Sequence, residues 1–149
     1  MDAPRYCLDT NVLIDFLRNR EPGASAVEKV VRDAECFVAA VTVYELLFGV
    51  ARARKKIGEE ALLGVMTVLP FDGVVAETAA SLHAFLIRSN QEIGVKDVFI
   101  AATCLVHDMP VLTANKRHFG RVPGLKVITP GELLQRQSPQ GGGISSPAR

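Results

Sequence analysis

Short apolar runs alternate with longer amphipathic segments along almost the whole chain. Four apolar runs have the length and composition of buried strands, over residues 5–8, 36–41, 111–113 and 125–128. Apolar residues recur with helical spacing between them and predict helices over residues 12–18, 24–33, 42–54, 59–68, 74–89 and 95–107, with a brief strand over 68–71. This alternation predicts an α/β fold, a three-layer α/β/α sandwich with a mostly parallel central sheet.

The end of the folded region is marked by a helix-capping signal. Thr129 and Glu132 match the S/T-x-x-E capping box, and Pro130 stands at the first position of a short terminal helix. From residue 137 onwards the chain is rich in Ser, Pro, Gln and Gly, which is typical of flexible segments. We therefore expect one domain over residues 1–136 and a flexible tail over 137–149.

Composition and charge are those of a globular domain that carries no strong overall field. The chain has 149 residues, of which 48% are hydrophobic and 22% charged, and its net charge is only +1. Affinity for nucleic acid would have to come from the basic clusters at 52–56 and 116–126, which are otherwise solvated faces. Apolar stretches fall short of the ~20 residues of a membrane helix, and the three cysteines lack CxxC spacing. We expect a cytoplasmic protein with buried thiols and no membrane contact.

Three carboxylates stand where helices begin. Asp9 directly follows the first strand, Glu45 lies near the start of the helix over 42–54, and Asp97 lies in the first turn of the helix over 95–107. In an alternating α/β chain these positions gather along one edge of the sheet. Converging carboxylates repel one another unless a divalent cation lies between them, so the pattern predicts a metal-dependent phosphodiesterase site.

Each of these acids also has a structural interpretation. Asp9 is a typical N-cap residue, Thr42 with Glu45 matches a capping box, and Asp97 lies where the helix dipole favours an acid. Glu45 and Asp97 nevertheless have apolar neighbours, and burying an unpaired charge is costly. The conjunction of three such acids in one domain favours a shared site, and a carboxylate can both cap a helix and bind a metal.

Other polar residues near these positions are less decisive. Asp15 shares a helix face with Asn11 and either supports the site or is a solvated surface residue. Lys96 precedes Asp97, but it is expected to point about 100° away on the helix, so we assign it no catalytic role. His83 and His107 are remote in sequence from the acids, and we expect them to be structural or exposed.

Four segments together resemble the PIN domain and, within it, the toxin ribonucleases of VapBC-type toxin-antitoxin modules. They cover residues 8–14, 41–49, 93–102 and 111–125. The segments occur in the family's order, and the resemblance extends over residues 5–135. Each motif is short, so the ordered set carries the resemblance.

The resemblance implies an endoribonuclease that depends on Mg²⁺ or Mn²⁺. Asp9, Glu45 and Asp97 match the catalytic, metal-binding acids of the family, and Asn11 and Asn115 are expected to contact substrate or support the site. His118 stands where many members carry a fourth acid. Because imidazole suits Mg²⁺ less well than carboxylate does, His118 either leaves a second metal weakly held, favours Mn²⁺, contacts phosphate or packs as a structural residue.

The resemblance also implies partners: an RNA substrate and a cognate antitoxin protein. Apolar residues are abundant over 43–63, and we expect part of that surface to form a homodimer interface or an antitoxin groove; they are Leu46, Leu47, Val50, Leu62 and Leu63. Three other functions stay open. An aspartyl phosphatase would need a second Asp where Asn11 stands. A non-cleaving RNA- or protein-binding module is favoured by His118 alone, and an RNA-maturation nuclease would share the chemistry.

Overall fold

The computed structural model describes residues 3–136 of the chain. The strands of this part are β1 (Arg5–Leu8), β2 (Glu35–Ala39), β3 (Thr67–Leu69), β4 (Val111–Leu112) and β5 (Val127–Ile128). The helices are α1 (Thr10–Leu17), α2 (Gly23–Asp33), α3 (Ala40–Ala53), α4 (Glu59–Leu63), α5 (Gly73–Arg88), α6 (Val95–Val106), α7 (Lys116–Phe119) and α8 (Pro130–Arg136). The expected flexible tail over residues 137–149 lies outside the described residues.

A single parallel sheet forms the middle layer, with the strand order β3-β2-β1-β4-β5. Side chains alternate between its faces. Tyr6 and Leu8 of β1 point into one buried cluster with α1, α2 and α8, whereas Cys7 points into another with α5, α6 and α7. Leu112 and Val111 of β4 divide in the same way. The predicted three-layer α/β/α architecture is confirmed, with a sheet that is parallel throughout.

The strand order reverses at β1, and this reversal determines where side chains can converge. The chain extends from β1 to β2 and β3 on one side and crosses to β4 and β5 on the other. The Cα atoms of Leu8 and Leu112 are partners across β1 and β4, and the Asp9 amide donates a 3.0 Å hydrogen bond to the Leu112 carbonyl. Asp9 and Thr113 therefore lie side by side at the carboxyl ends of these strands, where open α/β sheets bind ligands.

Two predicted boundaries were wrong around the second strand. β2 ends at Ala39 instead of residue 41, and α3 begins at Ala40 with no side-chain cap. Thr42 is fully buried in the first turn of α3 and does not cap it. Glu45 consequently lies in the second turn, so the capping box that Thr42 and Glu45 match in sequence does not form.

Tertiary pairing changed two other segments. The helix predicted over 59–68 ends at Leu63, because Thr67–Leu69 pairs with β2 as an edge strand. The four-residue helix α7 was not predicted, and Asn115 caps it by accepting a hydrogen bond from the His118 amide. The four-residue helix α7 is too short to show helical periodicity. In the segment over 59–68, pairing with β2 overrides the helical pattern of the last residues.

Several smaller expectations hold. Thr129 and Glu132 exchange the two hydrogen bonds of a capping box, at 3.2 and 3.0 Å, at the start of α8. Cys7, Cys36 and Cys104 are buried free thiols. Within residues 3–136 no helix combines the length and hydropathy required to cross a membrane.

Candidate active site

Asp9 is the most deeply buried of the three predicted acids, with 3% of its surface exposed. The Thr113 hydroxyl donates a 2.7 Å hydrogen bond to its Oδ2 atom. Burial raises the pKa of Asp9 to about 6; the Thr113 hydrogen bond lowers it, while the charges of Asp97 and Glu45 raise it. Asp9 occupies the N-cap position of α1, but its side chain makes no capping hydrogen bond there. Its carboxylate therefore bonds across to the end of the neighbouring strand and also lies within the electrostatic influence of the other two acids.

Glu45 is held by a pair of threonine hydroxyls from two helices. Thr10, the first residue of α1, donates a 2.6 Å hydrogen bond from Oγ1 to Glu45 Oε1. The same Oγ1 lies 3.1 Å from the hydroxyl of Thr42. Because the Thr10 hydroxyl has one proton, which it gives to Glu45, it accepts from Thr42. The chain Thr42–Thr10–Glu45 therefore orients one oxygen of the carboxylate and leaves Oε2 facing outward.

Lys96 contacts this outward oxygen. Its Nζ atom lies 3.4 Å from Glu45 Oε2, and the two side chains are 56% and 22% exposed. Lys96 was expected to point about 100° away from Asp97 on their helix, and the structure pairs it with a different acid of the site, Glu45. The long, flexible side chain extends from the first turn of α6 across to α3, a reach that an angle about the helix axis does not describe.

Asp97 lies in the first turn of α6, which starts after Gly94, a residue with a φ of +93°. The Nδ1 atom of His118 lies 3.2 Å from Asp97 Oδ2. Burial raises the pKa of Asp97, while the hydrogen bond and charge of His118 lower it, Glu45 raises it and Lys96 lowers it. His118 thus contacts an acid of the site, and does not simply pack beside its neighbour on α7.

The remaining predicted residues divide into two groups. Asn115 supports the site indirectly, because its cap on α7 holds the backbone of His118. Asn11 is exposed, and no hydrogen bond found within residues 3–136 involves its side chain. Asp15 lies 4.0 Å from Arg20 and against Gly23, and it contacts none of the acids.

The two other histidines are structural or partly exposed, as expected. His83 lies on α5, with Nε2 3.7 Å from Glu92 Oε2, a distance too long for a hydrogen bond. His107 ends α6, and its carbonyl accepts a 3.4 Å hydrogen bond from Arg5. Neither contacts an acid of the site.

Sequence analysis missed the three threonines that hold the acids. Thr10 and Thr42 orient Glu45, and Thr113 orients Asp9. One signal was available for Thr113, since it directly follows β4 as Asp9 directly follows β1, and neighbouring parallel strands end at the same edge. Thr10 and Thr42 have no comparable signal, because their contact joins two helices.

The donor set suits a hard divalent cation that keeps part of its water. Asp9, Glu45 and Asp97 come from three elements and influence one another electrostatically. Within residues 3–136, no three His, Cys, Asp or Glu side chains are placed so that they could jointly hold a metal ion. Mg²⁺ binds through one or two carboxylates and several waters, so these oxygen donors fit a hydrated Mg²⁺ or Mn²⁺ ion.

Two cavities continue from the acids along the helices, and together we call them the helical groove. The cavity next to the acids measures about 430 Å³ and includes Glu45; its other lining residues are Ile14, Leu17, Arg18, Leu46, Gly49, Ala53, Lys55, Ile57 and Glu59. A more apolar cavity of about 550 Å³ adjoins it and shares Leu17 and Ile57. The groove thus has mainly apolar walls, and the cavity that includes Glu45 is lined by two acids and two cations.

Comparison with known proteins places similarity over nearly the whole described part. The PIN domain family matches residues 6–125. Ribonuclease VapC of Rickettsia bellii is 30% identical over 129 residues, which cover 82% of this chain and 93% of that protein. The tRNA(fMet)-specific endonuclease VapC of Shigella flexneri is 28% identical over 127 residues, covering 82% of this chain and 95% of that protein.

Solved structures show the same fold. VapBC2 of Rickettsia felis, bound to a DNA fragment from its promoter, superposes with a TM-score of 0.73 at 20% identity, covering 84% of this chain and 98% of that one. A toxin-antitoxin complex from Klebsiella pneumoniae superposes with a TM-score of 0.68 at 23% identity, covering 84% and 97%. These likenesses concern the arrangement of the backbone.

Proposed function

Because this chain belongs to the PIN domain family, we propose that it is an endoribonuclease dependent on Mg²⁺ or Mn²⁺ and the toxin of a toxin-antitoxin pair. One observation carries the proposal: Asp9, Glu45 and Asp97, from three separate elements, share one electrostatic environment at the carboxyl edge of the parallel sheet. Relatives named as VapC ribonucleases support the RNA substrate, and the Klebsiella complex supports the antitoxin.

The chain's own residues prepare the acids for this chemistry. Thr113 holds Asp9, Thr10 holds Glu45, and His118 holds Asp97, each through one carboxylate oxygen. A carboxylate has about four lone-pair sites, so each acid keeps acceptor capacity for a cation. When bound, a divalent cation supplies an activated water and stabilises the charge that develops at phosphorus.

A cation would offset the negative charge that gathers at this edge of the sheet. Desolvation and like charges raise the pKa of Asp9 to about 6, so its ionisation costs more free energy than in water, although the group is mostly ionised at pH 7. A phosphodiester would add further negative charge to the same edge of the sheet. A divalent cation offsets both repulsions, which explains why the acids are kept together despite their cost.

The helical groove suits the antitoxin partner. Its walls are mainly apolar, and Glu45, an acid of the active site, lines one of its two cavities. An extended or helical segment with apolar side chains and one basic side chain would fit it, in the manner of peptides that lie in hydrophobic grooves. We propose that the antitoxin places such a segment there and its basic residue beside Glu45.

A homodimer interface is proposed for the exposed apolar surface of α3. Tyr44, Leu47 and Phe48 are 55%, 42% and 49% exposed, and the rings of Tyr44 and Phe48 stack with centroids 5.8 Å apart. Leu46 and Leu62, which sequence analysis assigned to this surface, are buried within the domain and do not contribute. Aromatic residues of this kind are enriched in interfaces between proteins.

The test is cleavage of a mixed pool of tRNA and ribosomal RNA fragments in Mg²⁺, Mn²⁺ or EDTA. We expect discrete cuts in the presence of metal, and none in EDTA or with Asp9→Asn. Asp33→Asn is the matched control, because Asp33 is an exposed acid on α2 that pairs with Lys29. Metal-independent cuts, or equal cutting by Asp9→Asn, would refute the proposal. Binding of RNA without cleavage by the folded wild type would favour the non-cleaving module.

A further inference from the structure

Lys96 is the one Lys or Arg side chain within residues 3–136 that forms an ion pair with an acid of the site. Its ammonium group lies 3.4 Å from Glu45 Oε2, and Lys96 directly precedes Asp97 in sequence. Its charge also lowers the pKa of Asp97, the acid that His118 contacts, and the charges of Asp97 and Glu45 in turn raise the pKa of Asp9. Lys96 therefore supplies a positive charge within a cluster of three acids.

The contact is of a kind that a competing ion can replace. The Lys96 side chain is 56% exposed, and exposed ion pairs gain little over the separate hydrated charges. Glu45 is in contrast held at its other oxygen by the 2.6 Å hydrogen bond from Thr10. When the ion pair opens, Glu45 stays in place and the flexible lysine arm is the part that moves.

The charges at the site indicate where the Lys96 side chain goes when it leaves Glu45. A divalent cation that binds Glu45 competes with Lys96 for Oε2, since both are positive. The RNA phosphate that enters the site brings negative charge to the same place, and a lysine ammonium is a suitable donor for a phosphate oxygen. Lys96 lies in the first turn of α6 and its side chain is 56% exposed, so an incoming strand can reach it.

We propose that Lys96 is a substrate-positioning residue that neutralises Glu45 in the free protein and contacts an RNA phosphate after a divalent cation replaces it. This proposal rests on the proposed nuclease function. Loss of the Lys96 charge should change the affinity for metal and the affinity for RNA in opposite directions, which loss of a purely structural ion pair would not do. Metal binding becomes tighter, while RNA binding becomes weaker.

The first measurement is Mn²⁺ binding to the RNA-free protein by calorimetry, for wild type, Lys96→Gln and Lys96→Arg. We expect Lys96→Gln to bind Mn²⁺ about five-fold more tightly, because removal of one nearby positive charge lowers the competition. Lys96→Arg should stay close to wild type. Lys29→Gln is the control, since Lys29 pairs with Asp33 at 3.0 Å on α2 and contacts no acid of the site.

The second measurement is binding of a mixed-sequence single-stranded RNA oligonucleotide in Ca²⁺ at several salt concentrations. Ca²⁺ binds carboxylate oxygens and fills the metal site without removal of one of its ligands. Gel electrophoresis checks that the RNA stays intact, and circular dichroism checks the fold of each variant. We expect Lys96→Gln to make the negative slope of log affinity against log salt less steep by about 0.7, the value for one lost phosphate contact. Lys96→Arg should restore the slope, and Lys29→Gln should leave it unchanged.

The outcomes separate this proposal from the nuclease proposal. The role of Lys96 would be overturned if wild type and Lys96→Gln bound Mn²⁺ with equal affinity or showed the same salt slope, even if the wild type cleaves RNA. Absence of any metal-dependent cleavage by the wild type would instead overturn the nuclease function. Opposite changes in metal and RNA affinity would support Lys96 in both of its contacts.

Discussion

The Thr113 hydroxyl donates a 2.7 Å hydrogen bond to Asp9 across 104 residues of sequence, joining the ends of two neighbouring strands. Both groups are buried, so the bond is made in a region of low dielectric where it is worth more than at the surface. It also continues: the same Thr113 oxygen accepts a 2.9 Å hydrogen bond from the Asn115 amide. Thr113 therefore links Asp9, which follows β1, to Asn115, which caps the helix that carries His118.

We expect Thr113→Val to lower RNA cleavage by about 10–100-fold, the usual cost of losing a residue that orients a metal ligand. The pKa of Asp9 should rise further, so the acidic limb of the pH–rate profile should move to higher pH. Single-turnover cleavage measured across pH tests both effects. The matched control is Thr103→Val, because Thr103 is equally buried but bonds only to the Phe99 carbonyl within α6.

Asp9 should make the metal-free protein less stable as pH rises. Its pKa is about 6 in the folded state against an ordinary 3.8, so the folded protein binds the proton more tightly than the unfolded chain does. Stability therefore falls from about pH 4 to about pH 6 and then levels off, by up to about 3 kcal/mol for this one group. Asp9→Asn cannot titrate and should be the more stable protein at pH 7 in EDTA.

Urea unfolding of wild type and Asp9→Asn in EDTA, at pH values from 4 to 8, measures this difference. The gap between the two proteins should widen between pH 4 and 6 and stay constant above that range. Added Mg²⁺ or Mn²⁺ should narrow it by stabilising the ionised wild type. A gap that does not change with pH would show that burial leaves the ionisation of Asp9 unaltered.

His118→Asp should make the metal-free protein less stable and its metal binding tighter. The new carboxylate would lie where His118 Nδ1 is now 3.2 Å from Asp97, so like charges would meet. In EDTA we expect a loss of roughly 1 kcal/mol in the free energy of unfolding, limited by the partial exposure of both groups. In Mg²⁺ the loss should shrink or reverse, because a carboxylate is a better ligand for this ion.

Urea unfolding of wild type, His118→Asp and His118→Gln with and without Mg²⁺ tests this. His118→Gln is the control, since it removes the imidazole without adding a charge. An effect of Mg²⁺ that is the same for all three proteins would show that residue 118 does not influence metal binding.

Gly94→Ala should weaken the start of the helix that carries Asp97. Gly94 has a φ of +93°, and an added Cβ would meet no atom within 4 Å, so the cost is conformational and not steric. We expect a loss of about 1–2 kcal/mol in the free energy of unfolding. Gly73→Ala is the control: its Cβ also meets nothing within 4 Å, and its φ is not positive. Equal losses in the two variants would contradict this explanation.

Phe48→Ser should convert a dimer to a monomer if the exposed face of α3 is the homodimer interface. Phe48 is 49% exposed and stacks on Tyr44, so the substitution removes apolar contact area without opening the core. Light scattering over a range of protein concentrations measures the change. Phe85→Ser, at a 42% exposed position on α5, is the control. A wild type that is monomeric at all concentrations would rule out the homodimer.

The sequence by itself was sufficient to predict the layers and to predict that three acids, Asp9, Glu45 and Asp97, lie near one another. Strands and helices are defined by local periodicity, and the carboxyl end of each strand in a parallel sheet must lie at the same edge. That rule predicted that Asp9 lies at this edge, and the apolar neighbours of Glu45 and Asp97 indicated that these acids are not ordinary surface residues. These are properties of short segments, which the chain specifies without knowledge of what lies beside them.

Tertiary structure decided which groups hold those acids. The pairing of Leu8 with Leu112 places Thr113 against Asp9, the approach of α1 to α3 joins Thr10 to Glu45, and α7 directs His118 to Asp97. The same packing brings Lys96 to Glu45, a contact that the angle between Lys96 and Asp97 on their helix does not predict. Each of these contacts joins elements far apart in sequence, so it depends on how strands and helices pack and has no signal in local periodicity.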